Sequence, residues 1–224
     1  MNKLLQFDDG ILASSEAIEQ LKNQENAKIL VISDSHGNIN YVKEIITKLG
    51  SGCDCLIFTG DGIFDFLGAL ESIHKDKKSK DVIPSVVVFV RGNGDSTGVA
   101  CSLNNKKVLR IPSKVKISIG GKKFFIVHGN GHGVYYGTSM LEAEAELEEC
   151  NVAVFGHTHI PFEELHNVYL MNPGSCSCPR GKSVKSVGII EVLGVNINTI
   201  FYRIEDNFGF VKFTPYFPDK LTFI

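Results

Sequence analysis

What the chain lacks narrows the reading first. No apolar run in its 224 residues approaches the roughly 18 needed for a membrane-crossing helix, so no membrane role is expected. The opening stretch MNKLLQFDDG reaches Asp8 and Asp9 too soon for a secretory leader. Neither charge is in excess: 23 Lys and Arg stand against 25 Asp and Glu, a formal charge of −2. That balance argues against the broad cationic footprint of a nucleic-acid-binding protein. The C-x₂-C knuckle of structural zinc sites is missing too; Cys53/Cys55 and Cys176/Cys178 are spaced C-x-C. A chain this long buries roughly 70% of its unfolded surface and needs no disulfide staples. The six cysteines are therefore read as reduced thiols in a cytoplasmic protein. Internal repeats and low-complexity segments are absent, and the 43% hydrophobic, 21% charged composition is that of a globular domain.

The apolar pattern supplies the elements. Residues 1–27 read as an extension, with a short helix capped by Ser14 or Ser15, before a domain spanning 28–224. KILVIS, CDCLIFTG and PSVVVFVRG are strands buried on both faces, separated by helical patterns over INYVKEIITKLG and FDFLGALESIHK. This β-α-β-α-β order predicts a parallel sheet with right-handed crossovers. The second half is richer in strands: KVLRIP, KVKISI and KKFFIVHG, the last two joined as a hairpin at Gly120-Gly121. A helix over TSMLEAEAELEEC leads to NVAVFG, and four further strands follow. Two face-to-face sheets with helices outside are expected. The aromatic tail NFGFVKFTPYFPDKLTFI should lie across its own domain, or serve a homodimer contact.

Polar residues collect where parallel sheets bind ligands, beyond the carboxyl ends of strands. Asp34-Ser35-His36-Gly37-Asn38, Gly60-Asp61, Gly92-Asn93-Gly94-Asp95, His128-Gly129 and Gly156-His157-Thr158-His159 each follow a predicted strand. On an extended segment, residues i and i+2 face the same way, so Asp34 with His36, and His157 with His159, can share a target. Each motif alone has an ordinary explanation as a turn. Five independent turns have no reason to place carboxylates, an amide and histidines at successive strand ends.

In order, DSHGN, GD, GNGD, VHG and GHTH resemble the signature blocks of the calcineurin-like metallophosphoesterases, nearest to the small prokaryotic YfcE-type phosphodiesterases. The resemblance covers residues 28 to about 205 and extends to NPGSCSCPR. It implies a four-layer α/β/β/α sandwich of two mixed sheets. It also implies one metal held by Asp34, His36, Asp61 and His159. A second would be held by Asp61, Asn93, His128 and His157, with Asp61 bridging. Two divalent ions are expected, Mn²⁺ first, with Fe²⁺, Zn²⁺ or Ni²⁺ as alternatives for such a ligand set. The implied reaction is attack by a metal-bridging hydroxide on a small phosphate ester.

Two departures from the family pattern affect the chemistry. Many relatives carry a histidine near the leaving group where this chain has Gly94. The loss of such an acid predicts a preference for esters with good leaving groups. The subgroup's H-G-H is here HGNGHG, so His132 is a candidate replacement acid or phosphate contact. Asn38, before a helix, is a candidate for phosphate binding and catalysis, Arg180 for closing over the substrate. Arg91 is either a further contact or a salt-bridge partner. Two other classes compete with a phosphodiesterase: a non-catalytic protein-binding scaffold, a use of this fold in the retromer complex, and a nuclease, which the near-neutral charge disfavours.

Overall fold

The computed structural model describes residues 2–76, 80–101, 108–207 and 210–218. A hairpin of β1 (Gln6–Asp8) and β2 (Ile11–Leu12) precedes α1 (Ser15–Asn23), whose first turn is capped by the Ser14 hydroxyl accepting from the Ala17 N–H. The alternation follows as β3 (Asn26–Ile32), α2 (Ile39–Leu49), β4 (Cys55–Phe58), α3 (Ile63–Lys75) and β5 (Val86–Phe89). After a small ribbon of β6 (Gly98–Ala100) and β7 (Val108–Arg110) come β8 (Lys114–Ile119), β9 (Lys122–Val127), α4 (Ser139–Leu147) and β10 (Val152–Val154). The chain closes through β11 (Pro161–Leu165), β12 (Tyr169–Pro173), β13 (Ser186–Leu193), β14 (Asn196–Asn207) and β15 (Phe210–Tyr216).

One sheet runs β1-β2-β5-β4-β3-β13-β14-β15 and the other β11-β12-β10-β9-β8. Both are mixed. β5, β4 and β3 are parallel at the centre of the first sheet, β9, β10 and β12 at the centre of the second. Every side chain of β4 and β5 is buried, because both faces of their sheet are covered. Alternate residues therefore feed different cores. Leu30, Ile32, Phe58 and Phe89 pack outward against Val42, Ile46, Phe66 and Leu70 of α2 and α3. Ile29, Val31, Ile57 and Val88 face Ile117, Phe124, Ile126 and Val154 of the second sheet. Beyond that sheet, Phe125, Ala153 and Leu170 meet Leu141 and Ala145 of α4. The result is the expected α/β/β/α sandwich with three apolar layers. The β8–β9 hairpin turns on Gly120 (φ 58°) and Gly121 (φ 72°), matching the two-residue turn read from the sequence.

Residues 2–27 pack against the sandwich. β2 pairs with β5 through Ile11↔Val88 and Leu12↔Val87, extending the first sheet. Leu4 and Leu12 are fully buried in the outer core, and Leu21 joins the core between the sheets. The Gly120 and Gly121 N–H groups donate to the carbonyls of Leu21 and Lys22, so α1 closes one edge of the sandwich. A strand of two residues leaves no periodicity to read, which hides this edge from sequence inspection. The aromatic tail does lie across its own domain: β15 pairs along β14, with Val211 and Phe213 against the outer core. Its last residues, 219–224, lie outside the described residues, as do 77–79 and 102–107.

Candidate metal centre

The central parallel strands of both sheets deliver their following loops to one place, and backbone hydrogen bonds stitch those loops together. The Asp34 N–H donates to Gly60 O (3.0 Å) and the His36 N–H to Asp61 O (3.2 Å), joining the loops after β3 and β4. Within the second sheet the Gly156 N–H donates to His128 O (2.9 Å), and across the sandwich the His157 N–H donates to Asp34 Oδ2 (3.1 Å). Gly156 makes the approach of the sheets possible. A Cβ there would stand 2.1 Å from Ser33 Oγ and 2.8 Å from Asp34 Oδ2.

Of the seven non-glycine residues with positive φ among those described, five are Asp34, His36, Asp61, His157 and His159, at 41–69°. Left-handed backbone is disfavoured for side chains with a Cβ, and its concentration at one point marks a functional constraint. It also corrects the extended-segment argument. The side chains converge because the turns are left-handed, and His157 and His159 diverge to different partners.

Two triads result. Asp34 Oδ1 lies 3.3 Å from His159 Nε2 and 3.8 Å from His36 Nε2, and the two imidazole nitrogens stand 3.1 Å apart. Asp61 Oδ2 lies 3.4 Å from His128 Nε2, which faces His157 Nδ1 at 3.2 Å. Asp61 Oδ2 is also 3.9 Å from His36 Nε2, so it links the triads. Within each triad the potential ligand atoms lie within 4.8 Å of one another.

The outer hydrogen bonds fit these groups to a cation. His128 Nδ1 donates to Thr59 O (2.8 Å) and His159 Nδ1 to Cys178 O (2.5 Å). With the proton fixed there, each Nε2 turns a lone pair inward. Asp34 Oδ2 accepts from Ser33 Oγ (2.5 Å), whereas its Oδ1, buried beside two imidazoles, has no hydrogen-bond partner. A buried carboxylate oxygen of that kind is costly unless a positive charge meets it.

The electrostatics agree. Burial pushes the Asp61 carboxyl up, but hydrogen bonding and charge from His128, with the Gly94 N–H and His36, outweigh it and hold the group at about 2. For His128, burial opposes protonation, yet Asp61 and Asp34 raise it above its ordinary value. His159 behaves likewise, burial being overcome by Asp34. Burial and the neighbouring His128 instead lower His157.

Six of the seven predicted ligands are thus gathered. Asn93 stands exposed on the adjoining turn, where the next residue, Gly94, donates its N–H to Asp61 Oδ1 (2.8 Å). Asn38 is the N-cap of α2 but makes no side-chain cap, and its backbone N–H donates to Ser35 O. His132 departs from expectation: its Nε2 meets Glu144 Oε2 of α4 at 2.9 Å and its ring packs edge-on to Phe125. The longer HGNGHG loop carries it over the outer face of the second sheet, so the structure joins it to α4 and not to the triads. Arg180 lies beside the centre, its guanidinium near the His157 carbonyl, hydrogen-bonded to the Tyr135 hydroxyl and over the Tyr135 ring.

Sequence inspection assigned no role to the residues that hold the ligands. Asp95 accepts from the N–H groups of Asp61, Gly62, Ile63 and Gly92 at 2.7–2.9 Å. It caps α3 from another loop, because the N-cap position is Gly62, which has no side chain. A helix start without a capping residue was the available signal. Asp65 accepts from Ser35 Oγ and the Gly37 N–H, and Ser175 and Ser177 donate to Asp34 O. Tyr135, whose hydroxyl donates to His157 O (2.8 Å), had no sequence signal.

Residues 27–194 match the calcineurin-like phosphoesterase superfamily domain. The chain belongs to this family. Phosphodiesterase YfcE of Escherichia coli K12 is 26% identical over 194 residues, covering 80% of this chain and 98% of that protein. The probable metallophosphoesterase YsnB of Bacillus subtilis is 27% identical over 175 residues, covering 78% and 89%. Among solved structures, Vacuolar Protein Sorting 29 of Cryptosporidium parvum superposes with a TM-score of 0.61 at 18% identity, covering 88% of this chain and all of that one. That likeness speaks to the fold of this phosphoesterase domain alone.

Proposed function

We propose that the protein is a binuclear metal-dependent phosphodiesterase acting on small phosphate esters. The observation that carries the reading is the orphaned Asp34 Oδ1 among imidazole nitrogens, beside a second carboxylate–histidine triad that shares Asp61. Asp34, His36, Asp61 and His159 would hold one cation, Asp61, Asn93, His128 and His157 the other, with Mn²⁺ the expected ion. When bound, such ions supply Lewis acidity, lowering the pKa of water and neutralising phosphate oxygens.

The chain's own residues do the rest. The Thr59 and Cys178 carbonyls fix which nitrogen of His128 and His159 faces inward. Asp95 locks the backbone of Asp61, and the low pKa of Asp61 keeps it charged throughout the physiological range. Arg180, beside His157, would hold a non-bridging phosphate oxygen, a role that its contact with the His157 carbonyl supports. Gly94 offers no proton to the departing alcohol, so esters with good leaving groups are the expected substrates.

The test is hydrolysis of bis-p-nitrophenyl phosphate and p-nitrophenyl phosphate by metal-stripped protein titrated with Mn²⁺, with His157→Ala as control. Metal-dependent turnover favouring the diester, lost in the variant, is expected. Folded protein without turnover for any divalent ion would favour the second reading, a non-catalytic scaffold, which the fold likeness to Vacuolar Protein Sorting 29 keeps in view.

A further inference from the structure

Next to the metal centre lies a cavity of about 590 Å³ whose charge opposes that of the whole chain. Arg91, Arg110 and Lys114 line it with the hydroxyls of Thr97 and Ser113, and Asp9 is its single carboxylate. Two of these cations are already matched. Arg110 meets Asp9 at 3.5 Å, and Lys114 meets Glu144 and Glu148 at 3.1 and 3.2 Å. Arg91 is different: it is half-buried, and no carboxylate lies within salt-bridge distance of it among the described residues. A guanidinium with no carboxylate partner is free to fork onto an anionic group.

The backbone of Arg91 is anchored, which makes its position a fixed feature of the centre. Its N–H donates to Pro112 O (2.8 Å), and the next residue, Gly92, lies so close to Asp61 that a Cβ would stand 2.0 Å from Asp61 Oδ1. A second cavity of about 340 Å³ shares Ser113 and Lys114 with the first and continues along Gly129 to His128. That second cavity is also lined by His132 and Glu144 beneath α4, and His128 itself is buried, so what ties Arg91 to the centre is its neighbour Gly92 packed against Asp61. Arginine forks match phosphate oxygens in pairs, and threonine and serine hydroxyls can complete the shell.

We propose that the Arg91 cavity binds a second anionic group of the substrate, so that the preferred esters carry a phosphate besides the one that is cleaved. This rests on the phosphodiesterase reading above and adds to it a substrate class.

Two arms test it. In the first, metal-free protein is titrated calorimetrically with inorganic pyrophosphate. Saturable binding weakened about tenfold or more in Arg91→Gln is expected, the variant's fold being checked by circular dichroism. Absence of binding, or equal binding by the variant, overturns the proposal. In the second, Mn²⁺-loaded protein is given the p-nitrophenyl ester of thymidine 5′-phosphate with and without a 3′-phosphate. The expected result is a kcat/KM ratio of at least about ten in favour of the 3′-phosphorylated ester, collapsing towards one in Arg91→Gln. Cleavage of both esters alike by the wild type overturns the subsite while leaving the phosphodiesterase reading standing. Cleavage of neither overturns that reading, and the pyrophosphate titration then decides the subsite alone.

Discussion

His36 and His159 face each other nitrogen to nitrogen across 3.1 Å, although 123 residues separate them in the chain. Two neutral imidazoles turning lone pairs together repel, and a proton or a cation between them removes the repulsion. Added Mn²⁺ should therefore stabilise the fold. At a free concentration of 100 times Kd the gain is about 2.7 kcal/mol, or roughly 5–10 °C in Tm for a chain of this size. Thermal denaturation with and without chelator checks this, and His159→Ala should abolish most of the shift.

Protons compete for the same nitrogens. His128 and His159 are held above their ordinary value by Asp61 and Asp34, so in the metal-free protein they retain protons at pH values where a free imidazole is neutral. A cation binds only the neutral form and must displace those protons. Affinity for Mn²⁺ should accordingly fall as pH drops, by at least about tenfold between pH 8 and pH 6. Calorimetric titration at the two values measures it, and a flat profile would contradict the assigned ligands.

Asp95 binds no substrate in this scheme, yet four backbone N–H groups depend on it. Asp95→Ala leaves them seeking water and frees the loop that carries Asp61. The expected cost is about 2–4 kcal/mol in urea unfolding, together with weaker Mn²⁺ binding. Asp95→Asn, which keeps one acceptor oxygen, should recover part of both.

Gly94 tests the missing acid. A Cβ there would sit 3.3 Å from Asp61 Oδ1, tight but short of a clash, and its φ is not in the left-handed range. Gly94→His should raise turnover of alkyl phosphate esters, with about 10²-fold as the scale of such an effect, and change aryl esters far less. Equal effects on both leaving-group classes would show that the histidine does not reach the departing oxygen.

Leu21 tests how far α1 contributes to the core. Its side chain is buried between the sheets, so Leu21→Ala should cost about 2–5 kcal/mol, as in other cores. A solvent-exposed extension would show almost no change in chemical unfolding.

Much of this molecule was legible in the chain. The continuous runs KILVIS and SVVVFV announced strands covered on both faces, and the ligand-bearing turns stood at the strand ends where parallel sheets bind. Hydrophobic periodicity and local turn chemistry act over a few residues, so they survive in a one-dimensional reading. Other features depended on where distant segments meet. Asp95 caps a helix that begins 32 residues earlier from its own number, β2 is too short to have a period, and the orientation of His132 was set by Glu144 on α4. The separation of His157 from His159 came from left-handed backbone that their spacing alone does not reveal. By itself the sequence determined the central buried strands and the identity of the metal-competent residues at their ends, because both follow from local chemistry. Only the tertiary structure decided which nitrogen faces which carboxylate, and that Arg91 has no carboxylate within salt-bridge distance among the described residues, because those depend on the packing of one sheet against the other.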